Sequence, residues 1–228
     1  MPRQVAGCKA GRLHVENLTL YRSLAHSGRT WSLIGTLTNN AATSVNQAVI
    51  CVQIINRDHT ISTRRTFLAT SLLAHESVPF RVRIEEDLTQ ASDVLVWPED
   101  WDQRAVNSSF SRAVYRRLEV QNLHAIGGSS MRGTIKNIGD GETYAVRILI
   151  GAYDKSNNLI GVYEAALDEL FTIRAGESIA ILATTDRLIG PQATHFRSIA
   201  EGVPRQAESA SLLPGVARSS DATTARTP

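Results

Sequence analysis

Leu33-Ile34-Gly35-Thr36-Leu37-Thr38-Asn39 recurs as Met131-Arg132-Gly133-Thr134-Ile135-Lys136-Asn137, an apolar residue, a glycine, an aliphatic residue and an asparagine at alternate positions. The offset of 98 residues persists downstream, pairing Ile50 with Ile148, Val52 with Ile150, Ile54 with Ala152 and Ile61 with Leu159. Upstream, Leu13-x-Val15-x-Asn17-Leu18 matches Leu118-x-Val120-x-Asn122-Leu123 at an offset of 105, so the first copy has a longer loop before Leu33. Farther on, Ala74-His75-Glu76-Ser77-Val78 matches Ala175-Gly176-Glu177-Ser178-Ile179 at an offset of 101. A period this long exceeds that of solenoid repeats and suits a duplicated domain.

Within each copy the local signal is alternation. In Val78-Pro79-Phe80-Arg81-Val82-Arg83-Ile84 the even positions are apolar and two odd positions are arginines, which is a strand with one wet face. Val146-Arg147-Ile148-Leu149-Ile150 repeats the scheme, and Asn39-Asn40, Asn56-Arg57-Asp58, Gly139-Asp140-Gly141 and Ser156-Asn157-Asn158 supply turns. Strands are expected near 12–18, 31–38, 46–56, 60–67, 77–85 and 93–97, and again near 117–124, 130–137, 144–154, 159–166, 177–184 and 194–200. One or two helical turns are expected within Glu164–Ile173 and Trp97–Phe110. Many short strands separated by turns argue for an all-β fold of two tandem antiparallel sandwiches, because a βαβ fold would need crossover helices. The shared inward parity of Gly35 and Gly133 predicts a bulge or a close backbone approach.

The copies run over 11–99 and 117–203, with 100–116 as linker and 204–228 as a disordered tail of Ser, Thr, Ala, Arg and Pro. With 228 residues, each copy is long enough to bury a core without staples. Two cysteines, Cys8 and Cys51, exclude a duplicated disulfide framework. A net charge of +2 gives no global field for non-specific nucleic-acid binding. No apolar run is long enough for a membrane span, and Met1-Pro2-Arg3-Gln4 lacks the apolar stretch of a secretory signal. Val5-Ala6-Gly7-Cys8 has the letters of a lipoprotein cleavage box without the hydrophobic segment that precedes one.

In the second copy, Ile150-Gly151-Ala152-Tyr153-Asp154, followed by a polar turn and Leu159-Ile160-Gly161, resembles the FxLYD domain family. Gly133-x-Ile135-x-Asn137 and Ala175-Gly176-Glu177-Ser178 look like that family's other recurrent features, whereas Val52-Gln53-Ile54-Ile55-Asn56 of the first copy lacks the Tyr-Asp pair. The resemblance implies immunoglobulin-like sandwiches of bacterial or archaeal envelope proteins, and it brings no catalytic residue with it. In structural terms, Tyr153 falls on the outward parity and Asp154 is placed to accept hydrogen bonds from the following turn amides.

Candidate chemistry is sparse. Asp154-x-Ser156-x-Asn158 has alternate oxygens, but Ala165 stands where a calcium loop needs its distal glutamate. His14, His26, His59, His75, His124 and His195 share no zinc spacing, and Gly127-Gly128-Ser129-Ser130 reads as a hairpin loop. No catalytic residue, metal or cofactor is expected. Arg64, Arg65, Arg81 and Arg83 could gather as a basic face, opposed by the acidic run Glu85-Glu86-Asp87. The apolar odd positions Val49, Cys51 and Ile55, with Leu149 and Tyr153 at equivalent places, form an outer stripe. Cover by the other domain and binding of a protein partner are its two readings. The expectation is a non-enzymatic structural or protein-interaction module that binds through outer sheet faces or an edge strand. The alternative is a glycan-binding module using Trp97 and Trp101 beside Glu99, Asp100 and Asp102.

Overall fold

A computed structural model of the chain describes residues 4–7, 9–23, 30–68, 71–100 and 114–205. Their alternating side chains favour extended backbone, and among the described residues strands dominate and no α-helix occurs. The strands are β1 (Gln4–Gly7), β2 (Lys9–Ala10), β3 (Leu13–Arg22), β4 (Trp31–Asn39), β5 (Ala48–Asn56), β6 (Ile61–Phe67), β7 (Ser77–Ile84) and β8 (Ala91–Asp100). In the C-terminal half they are β9 (Leu118–Ile126), β10 (Ser130–Asn137), β11 (Thr143–Tyr153), β12 (Leu159–Ala166), β13 (Thr172–Ile173), β14 (Ser178–Thr184) and β15 (His195–Pro204).

The N-terminal half has two sheets, ordered β1-β8-β5-β6 and β2-β3-β4-β7. Leu13, Leu33, Leu37 and Phe80 from one and Ile50, Val52, Val94 and Val96 from the other fill one core. Each such side chain contributes about 1.5–3 kcal/mol by leaving water. In the C-terminal half a single sheet runs β13-β11-β12-β14-β10-β9, with β15 also on β11. β12 and β14 meet only at Glu164 and Thr184, so the sheet bends there and wraps a second core containing Met131, Ile135, Ile148, Ile150 and Tyr163.

Four features depart from the sequence reading. The short β1 pairs parallel to β8, although antiparallel ladders were expected throughout. Glu164–Ala166 ends β12 and Thr172–Ile173 forms β13, with Asp168 accepting the Leu170 N–H in the turn between them, so no helical turn forms there. The expected linker begins inside β8, which reaches Asp100, and Tyr115 pairs with Gly202; residues 101–113 lie outside the described residues. The last strand continues through Pro204, one residue into the expected tail, of which 206–228 lie outside the described residues.

The repeated letters have the same local role in both halves. Asn17 and Asn122 each take φ of 54°, in the left-handed region that asparagine tolerates better than most residues. Each sits where the ladder slips, between Glu16 and Thr19 and opposite Arg132–Thr134 respectively. The slip turns Leu18 and Leu123 over the two glycines. A Cβ on Gly35 would lie 2.6 Å from Leu18 Cδ2, and one on Gly133 2.8 Å from Leu123 Cδ2. Asn39 and Asn137 are fully buried. The Asn39 amide donates to the Thr43 and Leu73 carbonyls, and the Asn137 amide to those of Gly141 and Ile173. Glu76 and Glu177 close the matching turns by accepting the Leu73 and Arg174 N–H groups.

Candidate functional site

β4 and β11 illustrate why the outer stripe is divided between two environments. Along β4 the inward set includes Leu33, Gly35 and Leu37, which leaves Ser32, Ile34 and Thr36 facing outward. Along β11 the inward set includes Ile148, Ile150 and Ala152, which leaves Leu149 and Tyr153 outward. These outer faces pack on each other. Ile34, Leu149, Tyr153, Leu159 and Val162 form a third buried cluster, flanked by Tyr21.

Two ionic clasps join the halves. In the first, the Asp186 carboxylate accepts Tyr21 Oη at 2.8 Å, Arg81 Nη1 at 3.2 Å and the Ser32 hydroxyl. Arg81 Nη2 also donates to Glu164 at 2.6 Å, and the Arg187 guanidinium lies 4.9 Å from the Tyr21 ring centre. Burial opposes ionisation of Asp186, but the Ser32 and Tyr21 hydrogen bonds and the Arg81 charge outweigh it and hold the carboxyl below its usual range. Burial pushes the Tyr21 phenol up, and its bond to Asp186 adds to the shift. Burial works against the Arg81 charge too, yet Glu164 and Asp186 keep its pKa raised.

In the second clasp, Glu201 accepts the Ser71 N–H at 3.0 Å and lies 3.4 Å from Arg116 Nε. Arg116 reaches Glu76 at 3.3 Å and donates to the Ser71 carbonyl. Burial raises the Glu201 pKa, opposed by Ser71 and Arg116. Glu76 and Ser71 belong to the N-terminal half and Glu201 to the C-terminal half, so Arg116 ties one to the other.

Most of the outer stripe is thus closed to a partner. Leu149 and Tyr153 are covered by the N-terminal half, with Tyr153 also stacked on His195 at 5.3 Å. Val49 and Cys51 are fully buried on a different sheet, and Ile55 is half-buried. Cys51 lies between Arg65 and Trp97 in its ladders. Burial first, then the Glu99 contact, pushes its thiol up to about 11, away from the reactive thiolate.

The remaining candidates have ordinary partners. Asp154 accepts the Ser156 and Asn158 N–H groups and the Asn158 amide, as its turn role requires. Among the described residues no group of three or more His, Cys, Asp or Glu side chains is placed to hold a metal. Arg64 pairs with Glu86 and Arg65 with Glu99, Arg81 belongs to the junction, and Arg83 is exposed, so the arginines do not act as one basic face. Trp97 is half-buried in β8, and Trp101 lies outside the described residues. A cleft of about 450 Å³ opens beside the junction between Phe67, Phe80, Arg147 and Leu149, and the carboxylate lining it, Glu164, is engaged by Arg81.

The sequence reading missed the junction residues Asp186, Arg81, Glu201 and Arg116 as a set. They are dispersed over more than 100 positions, and no local spacing links them. What remains open are the outer sheet faces. Ile61 and Phe67 on β6 are 61% and 54% exposed, and Ile126 on β9 and Leu182 on β14 are 39% and 56% exposed.

No protein-family model matches the chain, and no curated protein matches it. Among solved structures, it is similar to a crystal structure of red sea bream transglutaminase at 9% identity and a TM-score of 0.24. That match covers 78% of this chain and 28% of the transglutaminase, so the chain spans under a third of that protein. A likeness of this degree carries no argument about activity.

Proposed function

We propose that this chain is a non-catalytic structural and protein-interaction module, built as two tandem immunoglobulin-like sandwiches of the FxLYD type. In this reading it belongs to a prokaryotic envelope protein or assembled complex and binds partners through outer sheet faces or an edge strand. The observation that carries it is the disposition of apolar surface. The junction, held by ionic clasps, buries one pair of outer faces, while large apolar side chains stand exposed on β6, β9 and β14. Exposed apolar groups gathered on a sheet face mark contact surfaces. Among the described residues β6 has a ladder neighbour on one side alone, which suits strand addition.

A photo-crosslinking residue placed in native cells at Thr63 on β6, or at Thr134 on β10, tests this reading. Discrete protein adducts from either face are expected, with none from Lys155 in the tight turn after β11. Equal labelling at all three positions, or none anywhere, counts against it.

A further inference from the structure

The N-terminal half does not cover the outer face of β11–β12 along its whole length. The outward residues of β11 include Arg147, Leu149 and Tyr153; Leu149 and Tyr153 lie under the N-terminal half, whereas Arg147 is exposed. On the neighbouring strand, Glu164 pairs with Leu149 and Ala166 with Arg147. The cover therefore stops between Leu149 and Arg147, and the cleft of about 450 Å³ opens there. Arg147, Leu149, Glu164 and Ala166 line it from the C-terminal half, and Leu68 and Phe80 from the N-terminal half. A hollow of this volume falls within the range of small-molecule sites.

A bulge sets the position of the arginine. Ala145 takes φ of 48°, and the ladder with β15 slips between Tyr144 and Arg147. A left-handed residue other than glycine persists where its surroundings hold it, and a bulge re-aims the side chains that follow. The carboxylates around Arg147 have other partners. Glu201, opposite it on β15, is turned to the Ser71 N–H and to Arg116. Glu164 is held by Arg81 at 2.6 Å, and Asp168, on the far side of Arg147, accepts the Leu170 N–H. Among the described residues Arg147 forms no ion pair and no side-chain hydrogen bond, and it reaches Glu201 only through its field. A guanidinium left without a counter-ion at the rim of an apolar hollow suits a carboxylate, whose two oxygens match its planar fork.

We propose that the cleft binds a small organic acid, its carboxylate on Arg147 and its short aliphatic or single-ring body against Leu149, Ala166, Leu68 and Phe80. Because both halves line the cleft, a bound acid favours the joined arrangement over any in which the halves part. This role is independent of partner binding at the outer sheet faces.

Isothermal titration calorimetry of the full chain with octanoate, 1-octanol and octylammonium tests it. Octanoate should saturate and bind about tenfold more tightly than 1-octanol, because the charge-assisted contact is added to the same apolar body; octylammonium should not bind. Arg147→Gln should bring octanoate down to the affinity of 1-octanol and leave 1-octanol itself unchanged. Ala166→Phe, which fills the cleft, should weaken both. Both positions are exposed, and unchanged circular dichroism confirms that the variants fold. Octanoate should also raise the thermal midpoint of the native protein but not that of Arg147→Gln. Absence of saturable octanoate binding, equal affinity for the three probes, or octanoate binding that neither substitution weakens overturns the proposal.

Discussion

Ile34 and Arg132 hold the same place in the two copies of one strand, yet Ile34 is fully buried and Arg132 is exposed. Their buried neighbours correspond: Leu33 with Met131, Leu37 with Ile135, Asn39 with Asn137. The difference teaches that the repeated letters mark buried positions within each half, whereas the outward positions differ according to what lies over them. Similarity between the copies reports folding, and dissimilarity reports the junction.

The most severe way to probe that contrast is to truncate both residues. Ile34→Ala should cost about 2–5 kcal/mol through lost burial and a cavity at the junction, whereas Arg132→Ala should fall within about 0.5 kcal/mol of the native protein. Urea unfolding followed by fluorescence gives both values, and equal losses would erase the contrast. Asp186→Asn comes next. It weakens the bonds from Tyr21, Ser32 and Arg81 and should cost about 1.5–3 kcal/mol, while Glu85→Gln, at the matching exposed position of the first copy, should leave the unfolding midpoint unchanged. In the opposite sense, Asn39→Ala and Asn137→Ala should each cost about 1–3 kcal/mol, because each strands buried carbonyls. A large inequality between them would show that the inner framework also diverged.

The smallest effects lie in pH dependence, where the two clasps respond with opposite sign. The Asp186 carboxyl is lowered from 3.8, so the stability it contributes is present above that value and is lost as pH falls through its folded pKa. Glu201 is raised from 4.5, so the folded state holds its proton more tightly, and stability declines as pH rises from 4.5 through the raised value. Stability curves of Asp186→Asn and Glu201→Gln should each flatten in its own window, and a shared window for both would contradict the assignment.

Much of the sandwich interior was legible because a period of two is a direct consequence of strand geometry. The shared parity of Gly35 and Gly133 predicts a bulge or a close backbone approach, and both occur there; the turn role of Asp154 is legible from the polar turn that follows it. Short strands such as β1 and β13 gave no signal, since two to four residues cannot display alternation. Which outer face would be covered was not legible either. Leu149 and Cys51 read alike as outward apolar residues, and what separates them is whether Ile34 or Arg65 and Trp97 lie against them. That depends on how the two halves are placed, which hydrophobic periodicity does not encode. The clasps were hidden for the same reason, their members being drawn from strands and loops far apart in the chain.

The bond from Tyr21 to Asp186 spans 165 residues of sequence. During synthesis the first half can close its own core well before its counterpart leaves the ribosome, and until then Ile34 faces water with no cover. Contacts of such separation form late, because a long loop must close before they contribute. The nascent chain therefore passes through a stage with one finished globule and a bare apolar flank, which is when a chaperone has most to shield.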